Sequence, residues 1–306
     1  MRKKKCAIER EHVSHHKKDW VIGLSIAGGL FMLTLIMIVF SSRRSSGSSV
    51  SLSGGGSKIA VVEVEGAIYD SEKTVRQFKK YGDDKSIKAI VFRINSPGGV
   101  VGPSQEIYEA AKRVRDAGKP VIVSMGNVAA SGGYMIACAS DTIMAAPGTT
   151  TGSIGVIVEI MNLKKLYDKI GIKFETITVG KYKGTGANYR DLTEEDRAYL
   201  QAWIDDSYDQ FIHLVSEERG MPLEDVKKVA DGRVFTGRQA LSLGLVDTLG
   251  YYEDAVNLAA KMAGIEGEPS VVKERKKEYS IYDVIFGKAG IRFPGFHQTR
   301  LAYLWQ

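Results

Sequence analysis

The sequence predicts an α/β domain built on a mostly parallel sheet and preceded by one transmembrane helix. Three observations carry that expectation: short Val/Ile-rich runs separated by helical segments, glycine-rich turns that follow those runs, and a 21-residue uncharged stretch near the N-terminus. Strands alternating with helices make βαβ units, and strands covered on both faces read as continuous apolar runs.

Residues 1–19 form a basic tail. Residues 1–44 hold nine Lys/Arg against three Asp/Glu and so carry the whole formal net charge of +6. The rest of the chain is balanced, which excludes a global basic field for nucleic acid. Residues 20–40 read WVIGLSIAGGLFMLTLIMIVF, long enough as a helix to span about 30 Å, the hydrocarbon thickness of a bilayer. Seven basic residues precede this stretch and only Arg43 and Arg44 follow it closely. The positive-inside rule then places the N-terminus in the cytoplasm and the remaining chain outside, as a single-pass protein of the cell membrane in contact with lipid. A cleaved secretory signal is the competing reading, but its apolar core would be about 7–15 residues long and end at a small-residue cleavage site. Residues 41–57 are a Ser/Gly-rich flexible tether.

Residues 58–265 contain the folded domain. Strands are expected at 59–64, 88–94, 120–125, 142–145 and 174–179, with helices at 103–117 and around 134–139. Thr193 and Asp196 form a capping box in which Asp replaces the usual Glu/Gln. It opens a long helix whose apolar face comprises Leu200, Trp203, Ile204, Phe211, Leu214 and Val215. Shorter helices follow at 222–230, 236–243 and 252–264. Residues 266–306 are a tail, first charged and then aromatic-rich. Its end, IRFPGFHQTRLAYLWQ, is too apolar for a solvated tail and is expected to dock on the domain or on a neighbour. The two cysteines, Cys6 and Cys138, lie on opposite sides of the predicted span, so no disulfide joins them, and Cys138 reads as a small core residue.

Three turns could carry chemistry. Residues 127–134, NVAASGGY, lie between a strand and a helix, so Ser131 is either a helix cap or a nucleophile beside free backbone N–H groups. Residues 96–99, SPGG, follow a strand and are either an ordinary turn or a source of oxyanion donors. Residues 180–184, GKYKG, offer two lysines, which are either surface charges or, if one is desolvated, a base. A serine hydroxyl needs such a base. His12, His15 and His16 precede the predicted span, His213 falls within the long helix and His297 near the C-terminus, which leaves little for a Ser-His-Asp triad.

In this order, IxSPGG (94–99), AASGGY (129–134), TGSIGV (151–156) and GxxKG (180–184), continued by DGRVFTGRQALSLGLVD (231–247), resemble the bacterial signal peptide peptidase A family of the short, single-catalytic-domain kind. The likeness covers roughly residues 58–265. It implies a ClpP/crotonase-like fold, a homo-oligomeric ring, and serine endopeptidase activity on remnant signal peptides and other unfolded peptides, with no metal or cofactor. Carried over by position, it implies Ser131 as nucleophile, Lys183 as general base and Ser153 as the residue orienting the lysine amine. Gly98, Gly99 and Gly132 would supply the oxyanion hole. The spacing of the motif selects Lys183 over Lys181. The family often has an acidic residue just after this lysine, where this chain has Gly184. The remaining alternatives are a membrane peptidase acting on a stomatin-like partner, acyl-CoA chemistry on the same fold, and a catalytically dead membrane scaffold.

Overall fold

The computed structural model describes residues 57–274 and the backbone of a strand at 302–304. The predicted membrane span at 20–40 lies outside the described residues; among those described, no helix is long and apolar enough to cross a membrane.

The centre is a parallel sheet. Strand β1 (Lys58–Glu65) pairs with β2 (Ile87–Ser96), and β2 with β4 (Val121–Ala130). The first half of β4 then pairs with β5 (Thr142–Ala145) and its second half with β6 (Thr150–Gly152), all in parallel. Two short strands extend these branches: β7 (Val234–Thr236) antiparallel to β6, and β8 (Thr248–Leu249) parallel to β5. The opposite edge is β9 (Ser270–Lys273), parallel to β1, drawn from the segment that reads as charged tail.

Alternation along β1 explains its unbroken apolar run. Ala60, Val62 and Val64 face one core layer with Phe78, Ile107 and Ala111 from helices α1 (Glu72–Asp83) and α2 (Val101–Asp116). Ile59 and Val61 face the other, against Ala255, Val256 and Ala259 of a helix at Tyr252–Met262. Each face is thus covered, as a parallel sheet requires. Helix α3 (Gly132–Ala137) is wholly buried behind the sheet end. Cys138 follows it, buried and unpaired, its thiol pushed up to about 12 by desolvation.

One sequence expectation is corrected. Residues 174–179 form no strand and are largely exposed, Ile177 at 100% and Val179 at 97%. A Val/Ile run becomes a strand only with a partner edge, and this one belongs to an arm, residues 157–182, carrying only the short helix α4 (Lys164–Ile170). The long helix α5 (Glu194–Arg219) starts at the anticipated box: Thr193 Oγ1 accepts from the Asp196 N–H, and the Asp196 carboxylate accepts from the Thr193 N–H. Its buried residues include Leu200, Phe211, Ile212 and Val215, whereas Trp203 and His213 are exposed.

The far end of α5 is tied to α2 through Glu218, which pairs with Arg115 at 2.6 Å and Lys112 at 2.9 Å and accepts from the Tyr108 hydroxyl. Burial disfavours its charge, but hydrogen bonds from Arg115, Tyr108 and Lys112 outweigh that and hold the carboxyl at about 2. A depressed folded-state pKa stabilises the fold above the carboxyl's ordinary value, and that contribution is lost as pH falls towards 2. Glu218→Gln should therefore cost about 3 kcal/mol at neutral pH, because Lys112 loses its carboxylate and Arg115 keeps only the exposed Asp116. Urea unfolding as a function of pH should show the gap to wild type closing between about 4.5 and 2.

Candidate active site

Serine 131 sits where β4 ends and α3 begins, in a backbone conformation that L-residues avoid, φ 54° and ψ −120°. Among the described residues only one other non-glycine has positive φ, and it is Ser153 at 51°. The two lie side by side. Ala130 is in register with Gly152 on the neighbouring parallel strand, and each serine is the next residue along. The Ser131 N–H donates to the Gly152 carbonyl at 2.8 Å, and the Ser153 N–H to the Arg233 carbonyl at 2.8 Å.

The capping alternative for Ser131 does not hold: its side chain makes no cap hydrogen bond. The residue is 1% exposed, and its Oγ is buried with no hydrogen-bond partner. Its carbonyl accepts from the N–H groups of Tyr134 and Met135, which fixes the turn. Helix geometry leaves the N–H groups of Gly132 and Gly133 without an intrahelical acceptor, close to the hydroxyl.

The SPGG turn lies against this one. Ser96 pairs with Ala129 after an irregularity in the β2/β4 register. A Cβ on Gly133 would stand 2.6 Å from the Ser96 carbonyl oxygen, so only glycine permits the approach. Beyond Pro97, residues Gly98–Val100 form strand β3. The Gly98 N–H donates to Ser96 Oγ at 3.1 Å, the Gly98 carbonyl accepts from the Ile68 N–H, and the Val100 N–H donates to the Ile68 carbonyl. Strand alternation then turns the N–H and C=O of Gly99 to the opposite edge. On that edge strand β10 (Ala302–Leu304) runs antiparallel, with Tyr303 opposite Gly99. The sequence contained no sign of Ile68 or Arg233 as supports, because both act through backbone atoms.

The structure thus brings Ser131, Ser153, Gly98, Gly99 and Gly132 to one end of the sheet. It does not bring Lys183 there: within one chain Lys183 is exposed and makes no hydrogen bond to Ser131. Lys181, its rival, bridges Glu195 at 3.1 Å, and that hydrogen bond and the carboxylate charge raise its pKa, which suits a cation rather than a base.

A parallel α/β sheet ending in a buried, unpartnered serine beside backbone donors defines a hydrolase of the serine type. Residues 113–266 match the model of Peptidase family S49, and residues 59–151 that of Clp protease. A Synechocystis sp. protein named as a protease is 48% identical over 210 residues, 68% of this chain and 76% of its own length. An Enterococcus faecium protein named as a signal peptide peptidase SppA is 31% identical over 280 residues, 80% of this chain and 81% of its own. The chloroplastic serine protease SPPA of Arabidopsis thaliana is 36% identical over 273 residues, 88% of this chain but 38% of that protein. The chain belongs to peptidase family S49 and is a serine peptidase with a Clp-like fold.

The close approach at Gly133 is testable. Gly133→Ala should force the Ser131 turn away from Ser96 and slow labelling by a fluorophosphonate about 100-fold, the scale of a misplacement near 1 Å. Far-UV circular dichroism should be unchanged.

Proposed function

We propose that this peptidase is anchored in the cell membrane by residues 20–40 and cleaves extended peptides outside the cytoplasm through a Ser131–Lys183 dyad, with remnant signal peptides as the main substrates. The observation that carries the reading is the pair of positive-φ serines at the sheet end, one of them with a buried hydroxyl that lacks a partner. Strain of this kind persists where the surrounding structure enforces it, and it concentrates at catalytic positions.

In the proposed reaction, neutral Lys183 removes the Ser131 proton as Oγ attacks the scissile carbonyl. The N–H groups near Gly132 and the SPGG turn receive the oxyanion, each such donor being worth about 3–4 kcal/mol of barrier. Lys183 then protonates the leaving amine, and an acyl-enzyme forms on Ser131. Water, deprotonated by the same amine, releases the second product. Ser153 orients the lysine. The substrate lies as a strand on the outer edge of β3, displacing residues 302–304 of this chain from that position, which favours extended, unfolded peptides. Signal-peptide remnants fit this requirement, and the name of the Enterococcus relative points the same way.

Because Lys183 is exposed within one chain, the reading requires a second copy. The arm that precedes it exposes Ile157, Met161, Leu166, Ile170, Phe174 and Ile177. So much apolar surface on one segment marks an interface. Docked on a neighbouring protomer, the arm would become dry, as a neutral lysine needs, and would present Lys183 to the neighbour's serine.

Three measurements on the full chain in detergent test this. Ser131→Ala and Lys183→Ala should each be inert on a signal-peptide-like substrate. Activity of the wild type should rise with pH as the lysine loses its proton, because only the neutral amine can act. Mixing the two inert variants should restore a fraction of activity through mixed pairs. A Lys183→Ala variant that still cleaves would refute the dyad, and a mixture as silent as its components would refute the shared site.

A further inference from the structure

The loop that carries Lys183 is fastened to the start of α5 at almost every position except Lys183 itself. Lys181 bridges Glu195, and Tyr182 stacks on Tyr199 with ring centroids 4.8 Å apart. Thr185 Oγ1 donates to Asp196 Oδ1 at 2.5 Å. The carbonyl of Gly184, the residue joined to Lys183, accepts from Arg190 Nη2 at 2.8 Å and from Nε at 3.1 Å. Arg190 in turn donates to both carboxylate oxygens of Asp196, at 2.5 and 3.1 Å, and to the Asp191 carbonyl. The Asp196 side chain is 5% exposed.

We propose that Arg190, held by Asp196, is the positioning residue for Lys183, clamping the Gly184 carbonyl so that the lysine backbone is fixed relative to α5. The inference rests on the reading of Lys183 as base. Three features support it. The guanidinium is used as a planar fork, with all three nitrogens donating, which lysine could not reproduce. Asp196 serves two purposes at once, closing the capping box of α5 and receiving Arg190 and Thr185, so the helix start and the base loop form one unit. Helix α5 itself is anchored by Phe211, Ile212 and Val215, all fully buried, and gives the clamp a rigid support.

The physical need is plain. A lysine side chain has four rotatable bonds, and a base must come within about 3 Å of the proton it removes. With the loop free, the amine would explore a wide volume and rarely come within reach of the proton. Arg190 and Asp196 are an ion pair in which hydrogen bonding from Arg190 holds the Asp196 carboxyl well below the usual carboxylate range. The clamp therefore stays charged on both sides throughout the neutral and alkaline range in which a lysine base works.

The test uses the full chain in detergent with a fluorogenic signal-peptide-like substrate. Arg190→Gln should lower kcat about 10- to 100-fold with KM changed less than about threefold, since the substrate edge on β3 is untouched. Arg190→Lys should recover little, because a single ammonium cannot hold both the Gly184 carbonyl and the carboxylate. Asp196→Asn should resemble Arg190→Gln, and the double variant should be no worse than either single one, as expected for residues that act as a unit. Thr185→Val, a smaller change at the same carboxylate, guards against loss of folding and should show the same direction in kcat.

An Arg190→Gln enzyme with wild-type kcat, while Lys183→Ala is inert, would overturn the clamp and leave the base assignment standing. Cleavage by Lys183→Ala would overturn both. Additive losses in the double variant would mean that the two residues act separately and would overturn the proposal as stated.

Discussion

The site depends on one constraint: a serine forced into a left-handed backbone conformation at the point where a parallel strand becomes a helix. Such a conformation costs about 1–3 kcal/mol. It is held by the Gly152 carbonyl on one side and by two helix N–H groups on the Ser131 carbonyl on the other. The result is a hydroxyl that faces away from the cap position a serine would ordinarily take. Its neighbour Ser153 is held in the same way, through the Arg233 carbonyl. Both supports come from backbone atoms of the sheet and its following loop, so the geometry is set by the fold rather than by a few replaceable side chains.

The parts of the fold legible in the sequence were those buried on both sides. The strands at 59–64, 88–94, 120–125 and 142–145 carry short, mostly apolar runs, and the box at Thr193 marks the start of the long helix. Helix α1 escaped because its buried positions include Thr74 and Gln77, which break the apolar stripe. Strands of two or three residues, such as β6 and β8, are too short to show a period. At residues 174–179 the opposite happened: composition suited a strand, but no edge is available to pair with it. Apolar character alone does not distinguish a sheet interior from an exposed segment.

The same distinction governs the site. Glycines 99 and 133 could be read from the sequence because a close backbone approach excludes any side chain there, and Gly98 because its φ of 102° favours glycine. The place of Lys183 could not, because within one chain its side chain is exposed and apart from Ser131. The contacts around it were half-visible: Asp196 stood out as an unusual residue for a capping box, and its second partner, Arg190, explains the choice. A shorter carboxylate there reaches the Thr193 N–H and the guanidinium together.

The strand at 302–304 has a kinetic consequence. If peptides bind along the edge of β3, each incoming molecule competes with a segment of the enzyme's own chain that never diffuses away. A tethered rival acts at an effective concentration in the millimolar range. Weakly held or folded polypeptides would then lose the contest, and only sequences that bind the groove better than the resident segment would gain access. Selectivity of that kind needs no dedicated recognition pocket; it follows from the threshold that the occupant sets.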